Sequence, residues 1–221
     1  MGKLICYRCG SWPCVCRDGQ TIIHGDCREL LALLEPVDLV LTDPPYGICH
    51  SSSHGASWQN TMIKGDTDTT LRDCVLESIE SPMAVFGTWK TPPVGKARGA
   101  LVWDKGPAFG MGDLSLPFKP SWELIYICGD GWIGSRDPGV WRGQVVVSWE
   151  SRGRKHPHQK PVELLSYLLS KHGGHVVLDP FLGSGTTLRA CKDLGRRGIG
   201  IEIEERYCEI AANRLRQEVL F

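Results

Sequence analysis

The chain lacks several features that would assign it to a broad class at once. Its 221 residues contain no run of about 18 apolar residues, so no membrane-spanning helix is predicted. Basic and acidic residues number 25 each, giving a formal net charge of +0 and excluding an evenly basic nucleic-acid-binding surface. Residues 1–3 do not resemble the start of a signal peptide, and we expect a cytoplasmic location. Contact with a polyanion would therefore require a local basic patch.

Cysteine, by contrast, is plentiful, with 10 residues and no secretory signal, so a disulfide framework is not expected. Four cysteines are close together in the segment 1–20, which we predict as a separate cysteine knuckle. They are Cys6, Cys9, Cys14 and Cys16. Thiolates at this spacing can bind one tetrahedral zinc ion, although the second pair is closer than the usual Cys-x-x-Cys. Structural zinc and unligated thiols are the two interpretations. The other six cysteines are scattered and predicted to be buried.

A proline-rich turn follows the apolar run 37–41 and reads Thr42-Asp43-Pro44-Pro45-Tyr46-Gly47. Each proline favours extended backbone in the residue before it, so this turn is stiff. It can direct the Asp43 carboxylate and the Pro44 carbonyl at one point, beside the Tyr46 ring. Two acceptors and a flat aromatic ring suit a planar heterocycle that carries an exocyclic amino group. A strand that simply ends in a proline turn is the alternative.

A glycine turn lies between two predicted strands further along the chain. The strand 175–179 is followed by Pro180-Phe181-Leu182-Gly183-Ser184-Gly185-Thr186-Thr187, and helical spacing runs from Leu188 to Leu194. A second strand ends in the acid Glu202. In nucleotide-binding α/β folds this arrangement places glycines under the ligand and a carboxylate on the ribose hydroxyls. The dinucleotide pattern Gly-x-Gly-x-x-Gly is absent, and no lysine follows the glycines as in a phosphate-binding loop.

Together the two motifs resemble those of the amino-group DNA methyltransferases, which form N6-methyladenine or N4-methylcytosine. Asp43, Pro44, Pro45 and Tyr46 match the catalytic motif of that family, and the glycine turn matches its S-adenosylmethionine loop. The resemblance implies an α/β fold with a Rossmann-like sheet and S-adenosylmethionine as the cofactor. The catalytic motif precedes the cofactor loop, which is typical of the circularly permuted class.

The resemblance also implies a set of cofactor-binding residues. Those in the loop and the following strand are Asp179, Phe181, Gly183, Ser184, Gly185, Thr186 and Glu202. Asp26 is a further candidate, and it can equally cap a helix predicted from Cys27 to Leu34. Lys160, in the segment His156-Pro157-His158-Gln159-Lys160-Pro161, would meet the carboxylate of the cofactor's methionine moiety. Pro161 is predicted in the first turn of the next helix.

The candidate target-recognition segment is 104–150, inserted in a methyltransferase domain of 21–221. Tryptophan and arginine side chains between Gly129 and Gln144 suit base stacking and phosphate contact, and they equally suit packing. The predicted DNA-binding residues are Arg136, Arg142, Arg152, Arg154 and Lys155, with solvated surface charge as the alternative. Double-stranded DNA is the implied partner. A homodimer and a cognate restriction enzyme are left open.

Asp43 bears on the choice of base, because the cytosine-N4 members of this family usually carry Ser at that position. We therefore predict methylation of the exocyclic N6 of a flipped adenine, with cytosine N4 as the alternative. Hydrogen bonds to Asp43 and the Pro44 carbonyl would localise the lone pair of the amino nitrogen and orient it. A non-catalytic DNA-binding protein on the same scaffold is an alternative of a different class.

Overall fold

The structure, a computed structural model, describes residues 4–47, 67–93, 97–106, 115–119, 121–143 and 160–217. These residues form eight strands and five α-helices: β1 Gln20–His24, α1 Cys27–Leu30, β2 Leu39–Thr42, α2 Thr70–Glu77, β3 Met83–Gly87, β4 Ala97–Asp104, β5 Trp122–Cys128, β6 Val140–Arg142, α3 Val162–Ser170, β7 Val176–Asp179, α4 Thr186–Asp193, β8 Arg197–Glu202 and α5 Glu205–Arg216. None of the described helices is long and apolar enough to cross a membrane.

The eight strands form one mixed sheet in the order β1-β8-β7-β2-β3-β5-β4-β6. The first five strands of that order run parallel, whereas β5 is antiparallel to both of its neighbours and β6 is parallel to β4. From β7 the chain proceeds to one side of the sheet, and from β2 it proceeds to the other. The carboxyl ends of β2 and β7 therefore meet at a switch point, where open α/β sheets bind their ligands. The predicted permuted α/β sheet is confirmed.

The central strands are buried on both faces because helices cover both sides of the sheet. Leu39 and Leu41 of β2 pack with α3 in one core cluster, while Val40, between them, packs with α1 and α2 in another. Alternate residues of a strand point to opposite faces, so both faces of β2 must be apolar. This explains why β2 appears in the sequence as a continuous apolar run rather than as an alternating pattern.

Helix boundaries differ from the sequence predictions at three places. The helix predicted from Cys27 to Leu34 ends at Leu30, and a 3-10 turn takes over, because the chain must become extended before Pro36. Pro161 is the N-cap of α3, with φ −62° and ψ 135°, rather than a residue of its first turn. Helix α4 begins at Thr186, two residues before the predicted start, directly after the left-handed Gly185.

The candidate recognition segment 104–150 is partly built into the sheet, since it contains β5 and β6. Its limits as a functional unit, and those of the cysteine knuckle, stay predictions. Burial of the six scattered cysteines is predicted correctly for Cys27, Cys191 and Cys208, whereas Cys128 is half-buried. Cys74 is exposed because it lies on the outer face of α2, and Cys49 lies outside the described residues.

Candidate active site

The proline turn and the glycine turn lie side by side because their strands are neighbours. β2 and β7 pair in parallel, with Leu39 opposite Val177 and Val40 opposite Leu178, so both motifs emerge at the same edge of the sheet. A buried hydrogen bond joins them, in which the Thr42 hydroxyl donates to Asp179 Oδ1 at 2.7 Å. Two segments that are far apart in the sequence thus form one site.

Asp43 is held by two donors. The Tyr46 hydroxyl donates to its Oδ1 at 2.7 Å, and the Lys160 ammonium contacts its Oδ2 at 2.8 Å. The carboxylate remains 28% exposed, so it faces the open side of the site. Pro44 behind it is buried and Pro45 is half-buried. The Thr91 hydroxyl donates to the Tyr46 carbonyl at 2.9 Å, which anchors the end of the turn.

Lys160 is buried and forms a second ion pair, with Glu123 at 3.1 Å. Glu123 in turn contacts Lys105 Nζ at 2.5 Å. Burial opposes the charge of Lys160, but Asp43 and Glu123 outweigh it, so the pKa of the ammonium is raised. Burial likewise opposes the charge of Glu123, yet Lys160 and Lys105 lower its pKa to about 2. Lys160 and Glu123 are therefore both charged at neutral pH, and each offsets the charge of the other.

Asp179 has a different environment. It is 3% exposed, and its carboxylate accepts hydrogen bonds from the hydroxyls of Thr42 and Thr187 and from the N–H of Phe181. Burial raises its pKa to about 6, although these three donors favour the charged form. None of the described lysine or arginine side chains forms an ion pair with it. Asp179 is thus a buried carboxylate that lacks a described counter-ion.

The glycine turn is shaped by its contacts with β8 and α5. The N–H of Gly183 donates to Glu202 Oε2 at 2.8 Å, and Glu202 Oε1 accepts the N–H of Glu204 at 2.8 Å. Burial raises the pKa of Glu202, and these N–H groups partly offset that effect. Gly185 has φ +79°, and a Cβ at this position would lie 2.6 Å from the Ala211 Cβ. A side chain there would prevent α4 from approaching α5 as closely.

A pocket opens between the two turns. Of the predicted site residues, seven line it: Asp43, Lys160, Asp179, Phe181, Gly183, Ser184 and Thr186. Gly185 and Glu202 support the loop from behind, and the proline turn forms one margin. Asp26 does not line the pocket. Its carboxylate accepts the N–H of Arg28 at 2.9 Å and so caps α1, which confirms the capping interpretation.

Residues that the sequence did not single out complete the site. Glu123 neutralises Lys160, and the hydroxyls of Thr42 and Thr187 hold Asp179. The sequence could have indicated Glu123 as a site residue, because it is the one acidic residue in the otherwise apolar strand β5. Nothing in the sequence marked Thr42 and Thr187 as site residues, since threonine is common at the end of a strand and at the start of a helix.

The predicted DNA-binding residues are only partly described. Arg136 and Arg142 are exposed, and Arg142 Nε lies 3.5 Å from Asp104 Oδ2. Arg152, Arg154 and Lys155 lie outside the described residues, as does the segment 156–159 before Lys160. Trp132 and Trp141 are half-buried and pack against the main core, which favours the packing alternative for both rings. The four candidate zinc ligands have their sulfur atoms within 4.8 Å of one another.

Comparisons with known proteins agree with this geometry. The model of a protein family described as DNA methylase matches residues 132–213. The chain is 45% identical over 252 aligned residues to Type II methyltransferase M2.DpnII of Streptococcus pneumoniae, covering 91% of each chain. It is 46% identical over 250 residues to Type II methyltransferase M.HinfI of Haemophilus influenzae, covering 90% of this chain and 68% of that one.

Solved structures share the fold at lower identity. The complex of M1.HpyAVI with SAM matches with a TM-score of 0.60 and 23% identity, covering 88% of this chain and 99% of that one. The cytosine-N4-specific PvuII DNA methyltransferase matches with a TM-score of 0.65 and 17% identity, covering 91% of this chain and 88% of that one. At these identities the structures support the arrangement of strands and helices alone.

Proposed function

The chain belongs to the family of amino-group DNA methyltransferases, and from that premise we propose that it methylates the exocyclic N6 of adenine in double-stranded DNA. The methyl donor is S-adenosylmethionine. One observation carries the proposal: Asp43, the acceptor for a target amino group, shares a wall of the pocket with Asp179 and the glycine turn. The group to be methylated and the methyl donor can therefore meet at this edge of the sheet.

Asp43 is suited to orient an amino group, because two donors hold its carboxylate in place. A carboxylate offers about four acceptor sites, and the described donors Tyr46 and Lys160 occupy one on each oxygen. The remaining sites face the open side of the pocket, where the target nitrogen would donate to them. The Pro44 carbonyl is the second proposed acceptor, and the Tyr46 ring is the proposed stacking surface for the flipped base.

The orientation matters because the amino nitrogen is a weak nucleophile whose lone pair is delocalised into the ring. Two acceptors that bind both of its hydrogens would localise the lone pair and point it across the pocket. The ion pair with Lys160 fixes the Asp43 carboxylate before the base arrives, so little reorganisation is needed. After transfer the nitrogen loses a proton, which Asp43 can accept.

One property of the pocket supports its proposed fit to the methyl donor. S-adenosylmethionine supplies a methyl group on a positively charged sulfur and also carries an ammonium group. Asp179 is buried in the pocket wall and lacks a described counter-ion, so it would hold a cationic part of the donor. Glu202, at the end of β8, is placed for the ribose hydroxyls, beside the N–H of Gly183.

Lys160 and Asp26 fit their proposed cofactor roles less directly. Lys160 is predicted to meet the donor's carboxylate, but in the described structure Asp43 and Glu123 already neutralise its charge. Asp26 is brought near the site because the N–H of Gly25 donates to the Glu202 carbonyl at 2.9 Å. Its carboxylate, however, pairs with Arg28. Both roles stay proposals.

Adenine is favoured over cytosine by the residue at position 43, since cytosine-N4 members usually carry Ser there. The DNA duplex would lie over the exposed Arg136 and Arg142, which can contact phosphates. A homodimer and a cognate restriction enzyme are further predictions, and the described residues provide no contact that argues for either.

The test is to incubate the protein with unmethylated DNA and S-adenosylmethionine, digest the DNA to nucleosides and identify methylated bases by mass spectrometry. We expect N6-methyldeoxyadenosine from the wild type, and a decrease of at least about 100-fold in the Asp43→Ala variant. Asp193→Ala is the matched control, because Asp193 pairs with Arg189 on the surface of α4, away from the pocket.

Each other outcome has a definite meaning. N4-methyldeoxycytidine would overturn the assignment of the base and leave the rest intact. Near-wild-type turnover in Asp43→Ala would overturn the role of Asp43. If no base is methylated on DNA of varied sequence and S-adenosylmethionine does not bind, the non-catalytic alternative is correct.

A further inference from the structure

We propose that Cys6, Cys9, Cys14 and Cys16 bind one structural zinc ion, which fastens the cysteine knuckle along the edge strand of the sheet. This site is separate from the pocket, because none of the four cysteines lines it. It also goes beyond methyl transfer, since moving a methyl group from a sulfonium requires no metal. The proposal commits to zinc with four thiolate ligands and to a role in holding structure.

The spacing of the sulfur atoms is that of a tetrahedral metal site. Cys9 and Cys14 Sγ lie 3.8 Å apart, Cys14 and Cys6 lie 3.3 Å apart, and Cys6 and Cys16 lie 3.9 Å apart. Four sulfurs at about 2.3 Å from a central zinc ion are separated from one another by roughly 3.8 Å. All four are grouped around one point rather than in two pairs, which distinguishes the cluster from a pair of disulfides.

Backbone N–H groups point at the sulfurs, as thiolate ligands require. The N–H of Cys16 donates to Cys14 Sγ at 3.4 Å, and the N–H groups of Ser11 and Val15 point at the sulfur of Cys9. The turn that directs them depends on Gly10, which has φ +69°. Thiolates in a metal site carry more negative charge than thiols and gain more from such donors.

Apart from Leu4 and Trp12, which pack against the core of the sheet, few apolar contacts hold the knuckle in place. Ile5, Tyr7 and Val15 are exposed, and among the described residues of the knuckle only Cys6 and Gln20 are buried. Arg8 and Asp18 form an ion pair at 2.8 Å, so the guanidinium already has an anionic partner and does not neutralise the sulfurs. A segment this short cannot form an apolar core of its own, and such segments usually depend on a metal or on disulfides.

The location of the knuckle indicates what the metal does. β1 is the outer strand of the sheet, and Cys6 forms an antiparallel bridge with Ile23 on its open edge. The N–H of Tyr7 donates to the Ile22 carbonyl at 2.7 Å. The knuckle thus covers an edge that could otherwise pair with another chain. Because β1 leads into Gly25 and Asp26, zinc would also steady the strand next to the proposed ribose contact.

The first test measures metal in the full-length protein, purified without chelators and without a metal-affinity tag. We expect about one zinc ion per chain by elemental mass spectrometry. Replacement by cobalt should give the intense thiolate-to-metal charge-transfer absorption of a tetrahedral site. A protein that contains no zinc and takes none up after reduction would overturn the proposal. Iron in place of zinc, or two disulfides in the freshly purified chain, would overturn it too.

Variants then assign the ligands. Cys9→Ser should weaken zinc binding at least about tenfold, measured by competition with a chromogenic chelator. Cys74→Ser, which changes an exposed cysteine on α2, should bind zinc like the wild type. If Cys9→Ser fails to fold, the cobalt spectrum of the wild type still decides the ligand type. Equal zinc affinity in Cys9→Ser and Cys74→Ser would overturn the assignment.

The metal site and the methylation site can be tested independently. Asp43→Ala should retain zinc and lose methyl transfer. Removing zinc from the wild type should lower the temperature of unfolding and increase aggregation as the edge of β1 becomes accessible. Unchanged unfolding after complete zinc removal would contradict the structural role, whatever the activity of the enzyme.

Discussion

We expect Asp179→Asn to make the fold more stable at neutral pH while weakening the cofactor site. Burial, opposed by three hydrogen-bond donors, raises the pKa of Asp179 from 3.8 to about 6. An acid with a raised pKa binds its proton more tightly in the folded state, so ionisation destabilises the fold. The difference corresponds to about 3 kcal/mol at roughly 1.4 kcal/mol per tenfold change in proton affinity.

Because the pKa of Asp179 is raised in the folded state, the stability of the fold depends on pH. Below about pH 4 both states are protonated and the carboxylate has no such effect. Between 3.8 and about 6 the unfolded chain ionises before the folded one, so stability falls as pH rises. Above about pH 6 the carboxylate is ionised in both states, and the full loss of stability remains. An amide in this position carries no charge at any of these pH values, and Asn still offers an acceptor to the Thr42 hydroxyl and the Phe181 N–H.

The gain from Asn should therefore be close to zero near pH 4 and reach about 1–3 kcal/mol above pH 7. Urea unfolding without ligand measures it: with a slope of about 2 kcal/mol per molar, the midpoint should rise by roughly 0.5–1.5 M at pH 8. Thr187→Val is the matched control. It removes a hydroxyl that donates to the same carboxylate at 2.6 Å, so it should destabilise at pH 8 and do so far less in the Asn background.

The same substitution should lower the affinity for S-adenosylmethionine by about 10–100-fold, because a cationic group of the donor would lose its buried anion. In the wild type that affinity should fall as pH drops below about 6, where Asp179 becomes protonated, and the Asn variant should lose this dependence. Isothermal titration at several pH values gives both results. Destabilisation by Asn at pH 8, or unchanged affinity, would refute the reasoning.

Two further substitutions test other parts of the site. Glu123→Gln should lower the free energy of unfolding by about 2–3 kcal/mol at pH 7. Burial raises the pKa of this acid, but its two lysine partners outweigh burial and lower the pKa to about 2, so the charged form stabilises the fold. That contribution is present above about pH 4.5 and is lost toward pH 2, so urea midpoints of variant and wild type should converge in acid; a constant gap would contradict it. Gly185→Ala should destabilise more than Gly183→Ala, because its Cβ would lie 2.6 Å from that of Ala211 whereas the Cβ at Gly183 would have no atom within 4 Å. Thermal unfolding measures the loss of stability in each variant. Equal losses in the two variants would contradict this expectation.

The strands that carry the two motifs could be predicted from the sequence for a physical reason. A parallel strand buried on both faces must be apolar throughout, and the residues after it must turn sharply, so proline or glycine marks its end. β2 and β7 both show this pattern. The capping role of Asp26 was predictable on similar local grounds, since the carboxylate and the helix it caps are adjacent in the chain.

The contacts of Lys160 could not be predicted in this way. Its partners lie on β2 and β5, which are brought together by the order of strands in the sheet rather than by any local pattern. The resemblance to known methyltransferases supplied a role for Lys160 toward the cofactor, but it gave no indication of Glu123. Only the antiparallel position of β5 next to β3 places that acid within reach.

Two aspartates that end neighbouring strands differ in charge balance, and this difference separates their proposed tasks. The charge of Asp43 is neutralised inside the protein by Lys160, so the carboxylate can bind a neutral amino group without attracting a cation. Asp179 lacks a described counter-ion, so its charge would be available to the proposed cationic donor. Exchanging these environments would place the donor's positive charge where the base must lie. In the proposed mechanism, the ion pair between Asp43 and Lys160 would therefore help the pocket to distinguish its two substrates, in addition to orienting the base.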